Sequence, residues 1–238
     1  MKKVFLFSFL TILAFLVSGQ ELVNKDINKV DKHGHRQGYW KAYDVNGLIK
    51  FEGEFLDNKP VGTFKYYYED GKIKAVSEID DQSRRSRTKV FHNNGRIMAE
   101  GNYLNKKKDS TWVYYSDYDG VLLSTEYYEN GLLEGTVINY FPTGAIAEEI
   151  PYKAGLKHGE WKRYFTDEKL KLKASYVDDQ LEGLMMIYYQ KGFVEVSGMY
   201  EHGLKNGMWM YYDEGGILTK KERYIRGNLK ETILPEEQ

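Results

Sequence analysis

The chain of 238 residues contains no cysteine and only four prolines. The lack of cysteine excludes disulfides, thiolate zinc sites, cysteine nucleophiles and a lipid-modified N-terminal cysteine. There is also no excess of one charge, since 34 Lys and Arg stand against 35 Asp and Glu, for a formal charge of -1. A near-neutral chain has no overall attraction to nucleic acid or to an anionic membrane. We therefore expect no nucleic-acid partner.

Long apolar runs are scarce as well. One run, residues 4–17, follows Met1-Lys2-Lys3 and precedes Ser18-Gly19. Fourteen residues are too few for a comfortable membrane span, and a basic start, an apolar run and small residues are typical of a secretory signal peptide. We predict cleavage near residues 19–20, no transmembrane span in the mature chain, and an exported protein that is periplasmic, outer-membrane-associated or secreted by a bacterium. An uncleaved N-terminal anchor is the alternative.

What the chain does have is 21 Tyr, 11 Phe and 23 Gly, a composition that suits amphipathic strands. The glycines recur in Gly155–Phe165, GLKHGEWKRYF, and in seven related stretches. We take the second glycine of each stretch as the start of a repeat. The starts are Gly38, Gly62, Ser86, Ser110, Gly135, Gly159, Gly183 and Gly207. They are 24 residues apart, except for 25 between Ser110 and Gly135, and a fixed period of this length indicates a repeat architecture.

Each repeat carries the same residue types in the same order. Two residues after the start stand Trp40, Phe64, Thr88, Trp112, Val137, Trp161, Met185 and Trp209. Five residues after it stand Tyr43, Tyr67, Phe91, Tyr115, Tyr140, Tyr164, Tyr188 and Tyr212. A turn such as Asn46-Gly47 follows, a chemistry that favours tight hairpins whose two central residues have positive φ. Repeat six has Asp167-Glu168-Lys169 instead, which predicts a longer or looser turn.

The stretch after the turn alternates aliphatic, small and aromatic residues at one parity, as in Ile49, Gly53 and Phe55. Such alternation is typical of one face of a strand. In the stretch before the turn, Trp40 and Tyr43 have opposite parity, so either a β-bulge brings them to one face or both faces carry aromatic side chains. The sequence leaves these two alternatives open.

Each repeat is thus a pair of antiparallel strands, and eight of them give about sixteen strands in an all-β, elongated, single-layer antiparallel β-meander. Because a lone hairpin is marginally stable, neighbouring repeats must stack on one another. We predict a signal peptide at residues 1–19, a lead-in at 20–37, the repeat array at 38–230 and a tail at 231–238. Gly227 begins a ninth unit that ends at Pro235.

The pattern Gly-x-Trp-x-x-Tyr, an Asn/Asp-Gly turn and a second strand ending in Tyr resembles the MORN repeat over residues 34–229. The 24-residue bacterial variant looks like the YwqK-like family, which is often labelled antitoxin. This resemblance implies an elongated, twisted single-layer sheet that acts as a scaffold or as a binding surface for proteins or lipids. Repeat three departs from the pattern at Ser86 and Thr88, and repeat seven at Met185.

Two inter-repeat turns are unusually basic, which predicts a patch for a phosphate or carboxylate group of a protein partner or an anionic envelope component. The patch consists of Arg84, Arg85, Arg87, Lys106, Lys107 and Lys108. Its alternative is a pair of solvated turns compensated by Asp80, Asp81 and Asp109. Four aromatic residues six positions after a start are further binding candidates: Tyr68, Phe141, Phe165 and Tyr189.

Other chemistry finds little support. His33-Gly-His35 lacks a third ligand nearby in sequence and is a weak zinc signal, and motifs of catalytic Ser, of phosphate-binding loops and of zinc hydrolases are missing. We expect no metal, cofactor or catalytic residue. The sequence favours a non-enzymatic exported protein whose sheet binds or scaffolds partners. An immunity or antitoxin protein and an envelope carbohydrate-active enzyme are the alternatives.

Overall fold

The computed structural model describes residues 27–236, so the predicted signal peptide, residues 1–19, lies outside the described residues. Between residues 27 and 236 there is no helix, and hence none that could cross a membrane. The strands form one antiparallel sheet in which each repeat pairs with the repeats before and after it. The predicted fold, an all-β single-layer meander of hairpin repeats, is confirmed.

Eight strands open the repeats: β2 (Arg36–Tyr43), β4 (Lys59–Tyr67), β6 (Arg85–Phe91), β8 (Lys107–Tyr115), β11 (Gly135–Tyr140), β14 (Gly159–Tyr164), β17 (Gly183–Tyr188) and β19 (Leu204–Tyr212). Eight strands close them: β3 (Ile49–Leu56), β5 (Ile73–Ile79), β7 (Ile97–Leu104), β9 (Leu122–Glu129), β12 (Ile146–Lys153), β15 (Leu170–Val177), β18 (Val194–Glu201) and β20 (Leu218–Ile225).

Five further strands complete the sheet: β1 (Lys29–Val30), β10 (Leu132–Leu133), β13 (Leu156–Lys157), β16 (Gln180–Leu181) and β21 (Asn228–Ile233). The three two-residue strands β10, β13 and β16 are the beginnings of the opening strands of repeats five to seven, each separated from the rest by one residue. The last strand, β21, is the opening strand of the ninth unit that follows Gly227.

The hairpin turn inside each repeat differs from the predicted type. In repeat one the Gly47 N–H donates to the Asp44 carbonyl at 3.1 Å and the Asp44 N–H donates to the Leu48 carbonyl at 2.8 Å. Gly47 has φ 81, whereas Asn46 does not have a positive φ. The loop is therefore a turn followed by one left-handed glycine, and the expectation of two positive-φ residues at these turns is wrong.

Repeat six keeps the same loop without glycine. Glu168 takes φ 64, and the Phe165 N–H donates to the Lys169 carbonyl at 2.8 Å. The predicted longer or looser turn is thus wrong, because a non-glycine residue can occupy the left-handed position at a cost of about 1–2 kcal/mol. The extra residue of repeat four lies in its own hairpin loop, where the Ser116 N–H reaches the Val121 carbonyl at 2.9 Å.

Of the two alternatives left open for the aromatic rows, aromatic side chains on both faces is correct, and a bulge that brings them to one face is wrong. The pairing register shifts at the end of every opening strand, as between Ala42 and Tyr43, so each hairpin contains a bulge. The aromatic side chains nevertheless lie on both faces. Glu52 faces Lys65 across the strands and accepts a 2.6 Å hydrogen bond from the Tyr67 hydroxyl, whereas its neighbour Gly53 lies against the ring of Phe64.

We call the side that carries Phe64, Trp112 and Trp209 the ring face, and the opposite side the glutamate face. The core lies on the ring face, where Trp112 and Trp209 are 1% and 2% exposed. On the glutamate face, Tyr39, Lys41 and Tyr67 hydrogen-bond to Glu52. Burial alone would raise the pKa of Glu52, but these hydrogen bonds outweigh burial and lower the pKa to about 2.

A candidate binding groove between repeats two and three

Three junctions between repeats share one design, which we call the glycine–ring junction. At the first, Gly62 has φ 67 and the strand pairing jumps from Glu54–Val61 to Glu52–Lys65, so three residues of β4 stand opposite Gly53. This bulge sets the ring of Phe64 flat against Gly53, where a Cβ atom would lie 2.5 Å from the ring. Glycine is therefore required under each such ring.

The other two glycine–ring junctions repeat this contact. A Cβ atom on Gly101 would lie 2.4 Å from Trp112, and one on Gly198 would lie 2.2 Å from Trp209. Each indole N–H also donates to a backbone carbonyl, Trp112 to Asn102 at 2.9 Å and Trp209 to Met199 at 3.3 Å. A buried ring with its polar atom satisfied contributes strongly to stability, so these contacts hold neighbouring repeats together.

The junction between repeats two and three is built differently. Strands β5 and β6 pair without interruption from Ile79–Ser86 to Ala75–Val90, and Ser86 does not have a positive φ. Because β6 has no bulge, the two extra residues that a bulge would hold in the strand lie instead in the turn between β5 and β6. The Asp80 N–H donates to the Arg85 carbonyl at 3.0 Å, leaving four residues between them, whereas repeats one and two are joined through Asp57 and Asn58 alone.

In place of a ring on a glycine, this junction has a pair of hydroxyl groups. Ser77 and Thr88 hydrogen-bond to each other at 2.8 Å and are 7% and 4% exposed. Because Thr88 is much smaller than an indole or phenyl ring, the ring face is recessed here. The recess is a groove of about 1210 Å³, which we call the repeat-three groove.

The groove has an apolar and aromatic lining with charged ends. The apolar and aromatic lining residues are Leu48, Ile49, Pro60, Tyr66, Tyr67, Tyr68, Ala75, Ile79, Val90 and Tyr103. The polar and charged ones are Asp44, Lys50, Glu69, Asp70, Lys74, Ser77, Ser83, Arg84, Arg85, Ser86, Thr88, Asn93 and Lys106. Lys50 and Lys74 follow the hairpin turns, whereas Arg84 and Lys106 lie in the inter-repeat turns and Arg85 ends one of them, so cations stand at both edges of the sheet.

The walls are held by their own contacts. The ring of Tyr103 packs edge-on against Trp112 at 5.0 Å between centroids, and Tyr66 lies 6.3 Å from Phe64. Burial raises the pKa of the Tyr66 and Tyr103 hydroxyls, so both remain neutral donors at physiological pH. The groove thus has a fixed aromatic side chain on either side of the Ser77 and Thr88 floor.

Its cations are largely uncompensated. Lys50, Arg84, Arg85 and Lys106 form no ion pair with a carboxylate of residues 27–236, although Arg84 bonds to the amide of Gln82. Asp70, in contrast, is engaged by Lys72 at 3.0 Å. With five cations and three carboxylates in the lining, the groove attracts negative charge.

The structure divides the six predicted basic residues. Arg84, Arg85 and Lys106 line the groove, and Arg85 and Arg87 line a smaller recess beside it. Lys107 packs beside Gly131, where an added Cβ atom would lie 3.2 Å from the Cβ of Lys107. Lys108 lies on the ring face over Trp112, 4.7 Å from the ring centroid. Lys106 lies in the turn before β8, and strand alternation puts Lys107 and Lys108 on opposite faces, so the three neighbouring lysines do not form one patch.

The four candidate aromatic residues all lie at the hairpin-turn edge and are half-buried. The Tyr68 hydroxyl donates to the Phe91 carbonyl at 2.6 Å, and the Tyr189 hydroxyl donates to the Tyr212 carbonyl at 2.9 Å. Lys171 lies over the ring of Phe165 at 5.3 Å, whereas Phe141 has no cation over its ring among residues 27–236. Of the four, Tyr68 lines the groove.

Two charged clusters on the ring face were missed at the sequence level. Each places a lysine over a tryptophan and a glutamate beside two tyrosines. The clusters are Lys108, Trp112, Tyr114, Glu126 and Tyr128, and Lys205, Trp209, Tyr211, Glu222 and Tyr224. The signal was a glutamate at a position where five of the other six repeats have Gly, Ser or Ala. In the first cluster burial lowers the pKa of Lys108, and burial with a hydrogen bond to Glu126 raises that of Tyr128 to about 12.

A possible ligand set for a metal lies at the lead-in, where ligand atoms of Asp31, His35 and Asp57 come within 4.8 Å of one another. These groups have structural partners already. Asp31 accepts the backbone N–H groups of His33 and His35 at 2.8 and 3.0 Å, and these bonds lower its pKa. Asp57 accepts from the Gln37 side chain at 2.5 Å. The three groups cap and brace an exposed turn.

Comparison with protein-family models matches the MORN repeat variant at residues 60–80, 133–154 and 157–178. These segments coincide with the hairpins of repeats two, five and six. The chain is therefore a repeat protein that carries MORN repeats of the variant type, as the resemblance in its sequence predicts. A search of curated proteins gave no match.

Proposed function

We propose that this array of MORN repeats is an exported, non-enzymatic binding protein whose partner occupies the repeat-three groove. The observation that carries the proposal is the recess itself. A smaller side chain replaces the ring at three junctions, Thr88, Val137 and Met185. At the one with Thr88 the chain leaves an aromatic-walled groove with unpaired cations at its edges. Pockets with apolar walls and a few polar groups are where ligands bind.

Export is supported by the sequence of residues 1–19. A basic start, a short apolar run and small residues direct secretion, and the complete lack of cysteine suits a protein that folds in an oxidising compartment without pairing requirements. Cell fractionation with N-terminal sequencing tests this proposal. A chain that begins at or near Gln20 in the envelope or medium supports it, and a cytoplasmic chain with Met1 intact overturns it.

A non-catalytic role is supported by the state of the carboxylates. Every carboxylate of residues 27–236 whose pKa departs from its ordinary value has a lowered one, as at Glu52 and Glu222, both at about 2. General acid catalysis on a sugar needs a carboxyl group whose pKa is raised. The carboxylates instead bind tyrosine hydroxyls and lysines, which fix the sheet.

The experiment is site-specific photo-crosslinking in intact cells. A benzophenone amino acid is placed at Val90, which lines the groove, and in a matched variant at Val113, which pairs with Glu100 on the glutamate face. We expect a discrete crosslinked product from position 90 and little from position 113. Equal labelling at both positions, or labelling only at 113, refutes the groove as the binding site. A single stoichiometric toxic protein in the product would indicate an immunity function.

A further inference from the structure

We infer that the repeat-three groove binds an extended acidic peptide and takes one aromatic side chain of that peptide into the place of its own missing ring. This inference rests on the proposed binding function and specifies its ligand. The argument comes from what fills the equivalent position elsewhere on the same sheet.

In other repeats, a cation two residues before the start lies over aromatic rings of its own repeat. Lys205 is 4.1 Å from the ring centroid of Trp209, and Lys108 is 4.7 Å from that of Trp112. Arg36 lies 3.9 Å from the ring of Phe55. These are cation–π contacts, so the repeat is built to hold a cation above a ring.

Arg84 stands at the same repeat position, two residues before Ser86, but its ring is absent. Thr88 replaces the tryptophan, and Tyr103 packs against Trp112 of the following repeat. The guanidinium of Arg84 bonds to Gln82 and has no ring contact within the described residues. One half of the cation–π arrangement is therefore in place, and the groove beneath it has room for the other half.

The charges at both ends of the groove specify the rest of the ligand. Arg85 and Lys106 at the inter-repeat edge and Lys50 at the hairpin edge have no carboxylate partner in residues 27–236. The β5–β6 ladder between the two edges spans five residue pairs, or roughly 15–17 Å. An extended peptide of five to six residues matches this length, with a central aromatic residue and acidic residues on both sides.

A peptide fits better than a lipid or a glycan because the vacant position has the dimensions of an amino-acid ring. Each flanking junction fills it with Phe64 or Trp112. An acyl chain would leave Arg84 without a ring, and a neutral sugar would leave the cations without counter-charge. The inference thus commits to an aromatic residue within an acidic segment.

The test measures binding of the full-length purified protein to a fluorescein-labelled peptide, acetyl-Asp-Glu-Trp-Glu-Asp-amide, by anisotropy. We expect a dissociation constant of about 1–100 µM. A peptide with Ala in place of Trp should bind at least about tenfold more weakly, and one with Lys in place of the acids should not bind. Vesicles of phosphatidylglycerol and oligomers of N-acetylglucosamine serve as competitors of the other two classes.

Two substitutions in the protein locate the site, each with a matched control. Arg84→Glu should weaken binding about tenfold or more, whereas Lys153→Glu, an equal charge change at the exposed end of β12, should not. Ala75→Phe should fill the groove and abolish binding, since Phe51 occupies the equivalent place in repeat one and contacts Phe64. Val76→Phe, the neighbouring residue on the glutamate face, is its control. Circular dichroism melts confirm that each variant is folded.

Several outcomes overturn the inference. Equal affinity for the Trp and Ala peptides would show that the groove does not bind an aromatic side chain. Unchanged binding by a folded Arg84→Glu or Ala75→Phe protein would show that the peptide does not bind in the groove. Displacement of the peptide by vesicles or by the oligosaccharide, with tighter binding of either, assigns the groove to that class instead. If crosslinking from position 90 succeeds while no acidic aromatic peptide binds, the ligand class is wrong and the binding function stands.

Discussion

Repeats three and four both replace the start glycine with serine, yet the junctions before them are built differently. Ser110 adopts φ 60, forms a bulge and lifts Trp112 onto Gly101. Ser86 stays in a regular ladder and brings no ring. A left-handed serine costs about 1–2 kcal/mol, whereas burying a large side chain contributes more, about 1.5–3 kcal/mol. The comparison teaches that the bulge, the ring and the glycine beneath it occur together at the junction before repeat four and are all missing at the junction before repeat three.

The largest effect should come from removing a ring. Trp112→Ala should lower the free energy of unfolding by about 3–5 kcal/mol, because an indole that is 1% exposed leaves a cavity between repeats. Trp161 is half-buried and donates to Glu148 at 2.8 Å, so Trp161→Ala should cost less, about 1–2 kcal/mol. Urea unfolding of both variants measures the difference. Equal losses would show that the glycine–ring junctions are no stronger than the others.

A second experiment exchanges one junction for the other. Gly101→Ser places a Cβ atom where Trp112 leaves 2.4 Å, and should destabilise the protein by about 1–3 kcal/mol. In a Trp112→Thr background the clash disappears and a hydroxyl pair like that of Ser77 and Thr88 can form. The cost of Gly101→Ser should then fall near zero. Additive losses in this double-mutant cycle would disprove the coupling of ring and glycine.

A third experiment concerns Glu222, which stands opposite Trp209 as Glu126 stands opposite Trp112. Hydrogen bonds from Lys220, Tyr211 and Tyr224 lower its pKa from 4.5 to about 2. A lowered folded-state pKa adds stability above pH 4.5 that is lost as the pH falls toward 2.

Glu222→Gln should therefore be less stable than the parent at pH 7, by about 1–2 kcal/mol after allowance for solvent screening. The gap should close between pH 4.5 and 2.5. Urea midpoints across this range measure it, and Glu231→Gln on the exposed strand β21 is the control. A gap that does not change with pH would indicate that the carboxylate charge is not what stabilises this position.

The smallest effects should have opposite signs at the two serines. Ser110→Gly removes the strain of φ 60 and should stabilise the protein by about 0.5–1 kcal/mol, even with the loss of the bond to Asp109. Ser86→Gly, in a regular ladder, should destabilise it by a similar amount because glycine adds freedom to the unfolded chain. Thermal melts suffice, and shifts of the same sign would contradict the difference between the junctions.

Much of the fold was open to prediction because it repeats. The same pattern of strand residues occurs eight times, so a departure in one repeat, such as Thr88 or Met185, does not prevent prediction of the strands. Turn chemistry was less predictable. Asn46-Gly47 is a favoured dipeptide for two positive-φ residues, but in the bulged hairpin Gly47 alone takes that conformation, because the extra residue in the closing strand changes which loop fits.

The candidate site was predictable in part. The basic residues Arg84, Arg85 and Lys106 were identified from charge clustering, and Ser86 and Thr88 as departures from the repeat. The sequence did not show that the basic residues and the two departures from the repeat belong to the same groove. The excess residues of the missing bulge enter the turn that carries the arginines, and the missing ring opens the groove beside them.

By itself, the sequence determined a single-layer meander of hairpins, because a 24-residue period of alternating apolar side chains can bury them in no other way than repeat against repeat. The tertiary structure decided which junction is recessed. At the junction before repeat three the ring, the glycine beneath it, the bulge and the short turn are all missing, and the contact between two neighbouring repeats turns these departures into one groove.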